Sequence, residues 1–268
     1  MVALPAVTAL ELEPDGGWLT VWFNQPDTRN AMTDELVGDL QAVLDAVRDD
    51  RSVRGITLRG RHGIFCAGGN LKQFRTTFQG GAAREDVLEM SRGAAILLDA
   101  INEAPQVVIA VIEGAAMAGG FGMACAADVV ICEASARFAM TETAIGISPA
   151  QIAPFVIQKL GYATARRLML TAARFDGRMA HDLGFADFVA DGMEAAAEIE
   201  RGIRKQVLAC APGAVADTKA LIRALPGMSR AEAIEAAAEN FTGRLLSDEG
   251  REGVASFLEK RKPAWAQG

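Results

Sequence analysis

Two short stretches, "FCAGGN" (Phe65–Asn70) and "AMAGGFGMA" (Ala116–Ala124), hold glycine pairs where a strand gives way to a helix. Between Glu113 and Asp128 no side chain carries a charge, a hydroxyl or an amide, so any chemistry there belongs to the backbone. The first N–H groups of a helix lack intrahelical acceptors and sit at the positive end of its dipole. Without a Cβ at that place a ligand can come close. Two such donors from separate loops suit a carbonyl oxygen that gains negative charge during reaction. The same glycines are also compatible with nothing more than close packing of the chain.

Other chemistries find less support. His62 and His181, the only histidines, stand in no HExxH or other metal-ligand spacing. GxSxG and GxxxxGK[ST] are absent, which disfavours an α/β-hydrolase nucleophile and a P-loop. Gly120 and Gly122 fill two of the three glycine positions of a dinucleotide fingerprint, with Cys125 at the third, and Glu142 follows at the required distance of roughly 20 residues. The gap from a strand end near Ile112 to Gly120 is too long for the tight turn that fingerprint needs, so dinucleotide binding ranks second. The four cysteines form no CxxC, and three lie in apolar runs, as expected of buried thiols in a reducing, cytoplasmic setting.

The elements that must position these loops are legible in outline. "VTALELE" and "WLTVWFN" flank Pro14–Gly17 as a hairpin. Thr33 caps an amphipathic helix over "TDELVGDLQAVLDAVRDD". "VRGITLRG" and "QVVIAVIEG" read as buried strands, with a helix over 82–103 between them. "GGFGMACAAD" opens a helix, and "VVIC" follows as a strand. Beyond Pro149 helices dominate. Strand–helix alternation followed by helices predicts an α/β core over 1–200 and a helical region over 201–268. A net charge of −7 in 268 residues argues against nucleic acid as a partner. The N-terminus shows no basic-then-apolar leader, and Glu113, Asp128 and the glycines argue against a membrane span in the apolar run 107–132.

The segments "NQPDTRNAM", "FCAGGNL", "GAAMAGGFGMACAAD", "RFAMTETAIGISP" and "FLEKRKP" resemble, in order and approximate spacing, the crotonase superfamily of enoyl-CoA hydratases and isomerases. The resemblance covers nearly the whole chain. It implies a crotonase-like spiral of ββα units with a C-terminal helical trimerisation region, trimers or hexamers, and an acyl-CoA thioester substrate. No cofactor is implied beyond the CoA that the substrate carries. Position by position, it makes the N–H groups of Gly69 and Gly119 the oxyanion donors and Glu142 the catalytic carboxylate. The apolar neighbours Ala139, Met140, Ala144 and Ile145 then predict a partly desolvated Glu142 with a raised pKa. For CoA the resemblance points to Arg29, Ala31, Ala67, Asn70, Leu71, Lys72 and Met117, with Phe257 and Lys260 reaching a CoA in a neighbouring subunit.

Two departures refine this picture. The family's first catalytic glutamate falls at Gly122, so one carboxylate is left for both proton transfers, as in single-glutamate hydratases and Δ3,Δ2-enoyl-CoA isomerases. Asp128 matches a position the family uses structurally. "GISPAQIAPFV" replaces the family's glycine-rich turn and resembles hydratases of methylglutaconyl-CoA and isohexenylglutaconyl-CoA, which fits breakdown of leucine or terpenes.

Overall fold

The computed structural model describes residues 3–70, 75 and 80–266. Its main sheet has the order β1-β2-β3-β4-β6-β9, from β1 (Leu10–Asp15), β2 (Trp18–Phe23), β3 (Gly55–Gly60), β4 (Val107–Ile112), β6 (Val129–Glu133) and β9 (Phe188–Ala190). Only the β1–β2 pair is antiparallel. The hairpin turn is narrower than the sequence reading: Pro14 and Asp15 belong to edge strand β1, and Gly16 and Gly17, both at positive φ, make the two-residue connection.

Strand β4 shows how the sheet divides two cores. Val108, Ala110 and Ile112 join the main core, while Ile109 and Val111 face a second, smaller one, as the two-residue period of a strand requires. The main core is closed by α1 (Asp34–Val47), α2 (Arg84–Glu103) and α3 (Gly119–Ala126). Thr33 caps α1 as expected, its hydroxyl accepting from the Leu36 N–H at 3.1 Å. The second core is covered by α6 (Met193–Leu208) through Ile199, Ile203 and Val207. The expected boundary at residue 200 therefore falls inside a helix seated on the sheet.

A smaller sheet, β5-β7-β8, is built from β5 (Ala115–Met117), β7 (Arg137–Ala139) and β8 (Arg174–Asp176). It lies between the strand end at Ile112 and α3, which is why the glycine run follows no tight dinucleotide-type turn. Phe121 fixes α3 to this region by stacking on Phe185 at 4.3 Å and meeting Phe138 and Phe175 edge-on. The remaining helices are α4 (Ala153–Thr171), interrupted at Gly161, α5 (Gly177–Asp182), α7 (Pro212–Ala224), α8 (Arg230–Leu246) and α9 (Asp248–Leu258). Among the described residues no helix is long and apolar enough to cross a membrane.

Candidate active site

Three chain segments lie side by side and run the same way. Cys66 forms a parallel bridge with Ala116, and Ala116 pairs in parallel with Phe138. Counting forward from this row, Gly69 lies three residues on, Gly119 three and Glu142 four. Parallel neighbours carry their chains to the same end, so three positions far apart in sequence emerge together. All three line one cavity of about 360 Å³.

Local geometry aims the backbone at that cavity. Met32 donates its N–H to Gly68 O at 2.8 Å in a parallel bridge to Gly69. In such a bridge the N–H of Gly69 itself points away from Met32. Gly119 begins α3, so its N–H has no intrahelical acceptor. The residue before it, Ala118, has φ 48° and ψ −118°, a conformation that costs a non-glycine about 1–3 kcal/mol. Two hydrogen bonds hold it there: Ala118 N–H donates to Ala139 O at 2.8 Å, and Ala118 O accepts from Gly122 N–H at 3.1 Å. The first ties the Gly119 turn directly to the strand that leads to Glu142.

Glu142 opens a 3-10 turn that ends at Ile145. Its Oε2 is buried and has no hydrogen-bond partner among the described residues. Burial raises its pKa above the ordinary carboxylate value, opposed only by its own backbone N–H. The rest of the wall is mostly apolar, from Met32, Val37, Met90, Leu98 and Ile152. Ser91 and Gln151 add a polar pair, joined by a 2.5 Å hydrogen bond.

Gly122 does not face an empty carboxylate site. A Cβ there would lie 2.2 Å from Ile152 Cγ2, so an isoleucine from the "PAQIAP" segment fills the space a side chain at 122 would need. Asp128 is structural, as expected: its carboxylate accepts from Val108 N–H at 2.7 Å and pairs with Lys219 at 2.6 Å. Burial still pushes its pKa up. Cys66, Cys125 and Cys132 are buried and Cys210 is exposed, all unpaired.

A second cavity, of about 560 Å³, shares the same two loops. Ala67 and Met117 line it, each two residues before the glycine that lines the first. Arg29 lines it too, joined by Arg137, Arg174 and His62. None of the three arginines forms an ion pair among the described residues. Sequence reasoning missed Arg137 and Arg174, because a lone arginine beside a strand looks like any surface charge. The antiparallel pairing of β7 with β8, which sets Arg137 opposite Asp176 and Arg174 opposite Ala139, places them diagonally on neighbouring strands.

Other expected contacts are placed differently. Ala31 is buried and lines neither cavity, so it can shape a ligand path only from behind. Asn70 follows Gly69 but borders neither cavity. Leu71 and Lys72 lie outside the described residues. Phe257 and Lys260, at and beyond the end of α9, border neither cavity within one chain, and Phe257 is 83% exposed.

A mixed main sheet, a second small sheet at its strand ends and helices packed around both define a crotonase-type α/β fold. Comparison with known proteins narrows the class. Residues 14–268 match the enoyl-CoA hydratase/isomerase family, and the chain belongs to it. It is 31% identical to a putative enoyl-CoA hydratase of Thermus thermophilus, covering 91% of this chain and 95% of that one. It is also 31% identical to human enoyl-CoA hydratase domain-containing protein 2, mitochondrial, over 93% and 86% of the two chains. Among solved structures, Pseudomonas aeruginosa AtuE superposes with a TM-score of 0.94 at 45% identity, over 97% of this chain and all of that one. An enoyl-CoA hydratase/isomerase from Marinobacter aquaeolei gives 0.92 at 39% identity, over 97% and 99%.

Proposed function

We propose that the protein hydrates an α,β-unsaturated acyl-CoA thioester, with Glu142 as its one catalytic carboxylate. The observation that carries this reading is the convergence of Gly69, Gly119 and Glu142 on one cavity. The thioester oxygen accepts from the N–H groups of Gly69 and Gly119. Glu142 takes a proton from water as the water oxygen bonds to the β-carbon. The electrons of the double bond move toward the thioester, and the oxyanion formed is held by the two amides. Glu142 then returns a proton to the α-carbon, so one proton makes the round trip. A carboxylate with a raised pKa suits both halves of that cycle. The relatives named as enoyl-CoA hydratases support this assignment.

The CoA portion is assigned to the arginine-lined cavity, where Arg29, Arg137 and Arg174, with no ion-pair partner among the described residues, supply positive charge for phosphates. The acyl group is assigned to the cavity holding Glu142. We infer a branched glutaconyl-CoA ester such as methylglutaconyl- or isohexenylglutaconyl-CoA. The Ile152 plug beside Gly122 and the Ser91–Gln151 pair, which offers neutral hydrogen-bonding groups to a distal carboxylate, support this choice. Trimers or hexamers are supported by large apolar side chains on the surface of α8 and α9, such as Phe241, Leu246 and Phe257, and such an assembly is what would bring Phe257 and Lys260 to a neighbour's CoA.

Turnover of a panel of 2-enoyl-CoA esters, straight and branched-glutaconyl, tests the proposal together with Glu142→Gln. The variant is expected to fold and bind CoA esters while losing hydration. Full hydration by it refutes the assignment. Conversion of a 3-enoyl-CoA to the 2-enoyl isomer, with no water added to any ester, would move the reading to the isomerase branch of the family.

A further inference from the structure

Most glycines in this chain answer a visible demand. A Cβ at Gly120 would strike Cys66, one at Gly122 would strike Ile152, and the turn glycines have positive φ. Gly38 in α1 and Gly93 in α2 answer neither. Both have helical backbones, and a Cβ built on either meets no atom of the described residues within 4 Å. Glycine inside a helix is less stable than alanine, so at these two places neither packing nor conformation favours it. Gly202 and Gly243 are likewise helical and open, but they border none of the cavities that hold site residues. Gly38 and Gly93 both line the cavity that contains Glu142.

Their neighbours on the cavity wall are mostly apolar, the exceptions along these two helices being Asp34, four residues before Gly38, and Ser91. Val37 adjoins Gly38, and Met90 stands three residues before Gly93 and four before Ala94, with Leu98 four beyond Ala94. Side chains at such spacings share a face with their i+3 and i+4 partners. Along α1 and α2 the wall is thus mostly apolar, and among the described residues the cavity has no cation, Asp34 and Glu142 being its acidic groups.

We propose that Gly38 and Gly93 are specificity-determining residues, which keep room in the acyl cavity for an apolar arm longer than a four-carbon chain. This rests on the reading that the cavity receives the acyl group, but not on the group being hydrated. The missing side chains leave volume where an acyl arm lies against α1 and α2. Each methylene buried there strengthens binding by about fourfold.

The test measures binding of saturated esters, which need no turnover. Butyryl-CoA and octanoyl-CoA are titrated calorimetrically into the wild type, Gly93→Leu, Gly93→Ala and Gly38→Ala. The wild type should prefer octanoyl-CoA, and Gly93→Leu should lose that preference by more than tenfold with butyryl-CoA affinity kept. The two alanine variants should lose a few-fold of it while melting at a higher temperature, a combination that a purely structural glycine would not give. An unchanged octanoyl-to-butyryl ratio in folded Gly93→Leu overturns the proposal. If that variant does not fold, unchanged ratios in both alanine variants overturn it instead. Failure of the hydratase reading is separate: the wild type would then bind both esters yet hydrate no 2-enoyl-CoA of the straight and branched-glutaconyl panel. Binding of neither ester would remove both.

Discussion

The two cavities share their inner wall but differ in almost everything else. One carries three arginines with no ion-pair partner among the described residues, in a protein of net charge −7. The other carries Met32, Val37, Leu98 and Ile152 and two acidic residues, Asp34 and Glu142, the latter with an Oε2 that has no partner among the described residues. The same two loops separate them, with Ala67 and Met117 on one side and Gly69 and Gly119 on the other. A molecule that is polyanionic at one end and apolar at the other, with a carbonyl between, is the shape this wall fits. On the proposed function, the contrast means that the backbone at the junction selects atoms, while each cavity selects a class of group.

Removing the carboxylate should have the largest effect. Glu142→Gln is expected to lower kcat by about 10²–10⁴-fold, the usual contribution of a positioned acid–base group, with CoA-ester affinity within a few-fold of wild type. Rapid-quench turnover and calorimetry check this; equal losses of kcat and affinity would mean that the two cavities are not functionally distinct.

Restoring a side chain at the other glutamate position comes next. Gly122→Glu should fail to add activity and should cost about 1–3 kcal/mol of stability through overpacking against Ile152. Combining it with Ile152→Ala should recover part of that loss, a coupling measurable by a double-mutant cycle in urea.

On the cationic side, Arg137→Ala and Arg174→Ala should each weaken CoA-ester binding by about 1–2 kcal/mol, roughly five- to thirtyfold, with kcat preserved. Binding titrations at two salt concentrations would show the effect shrinking as salt rises. A kcat effect as large as that of Glu142→Gln would break the division of labour between the cavities.

The smallest expected effect is on pH-dependent stability. Burial raises the Glu142 pKa, so the folded state holds this proton at pH values where the unfolded chain has released it. Stability contributed by the protonated form is present below the ordinary glutamate range and declines as pH rises through the raised value. Denaturant titrations across that window should slope downward in the wild type and be flatter in Glu142→Gln.

What could be read in advance followed the strength of the local signal. β3, β4 and α1 were legible because each carries enough periodic apolar residues, or a cap as clear as Thr33, to reveal its type. β5, β7, β8 and β9 are three residues each, too short for any period, and exist only because distant segments pair with them. Of the site, the glycine loops were visible as a pattern and Glu142 through family resemblance. Ile152 behind Gly122 and the Arg137–Arg174 partnership were not visible, since nothing local marks either as a neighbour of the site.

By itself the sequence determined which groups are on offer: two glycine-rich turns with unpaired amides, one glutamate among apolar residues, and no second glutamate at 122. Only the tertiary structure decided that those groups meet. The row Cys66, Ala116 and Phe138 is set by parallel pairings across 50 and 22 residues of chain, and no local preference encodes such a register. It comes from burying the strands, bridges and phenylalanines around it together, so the site is a consequence of packing.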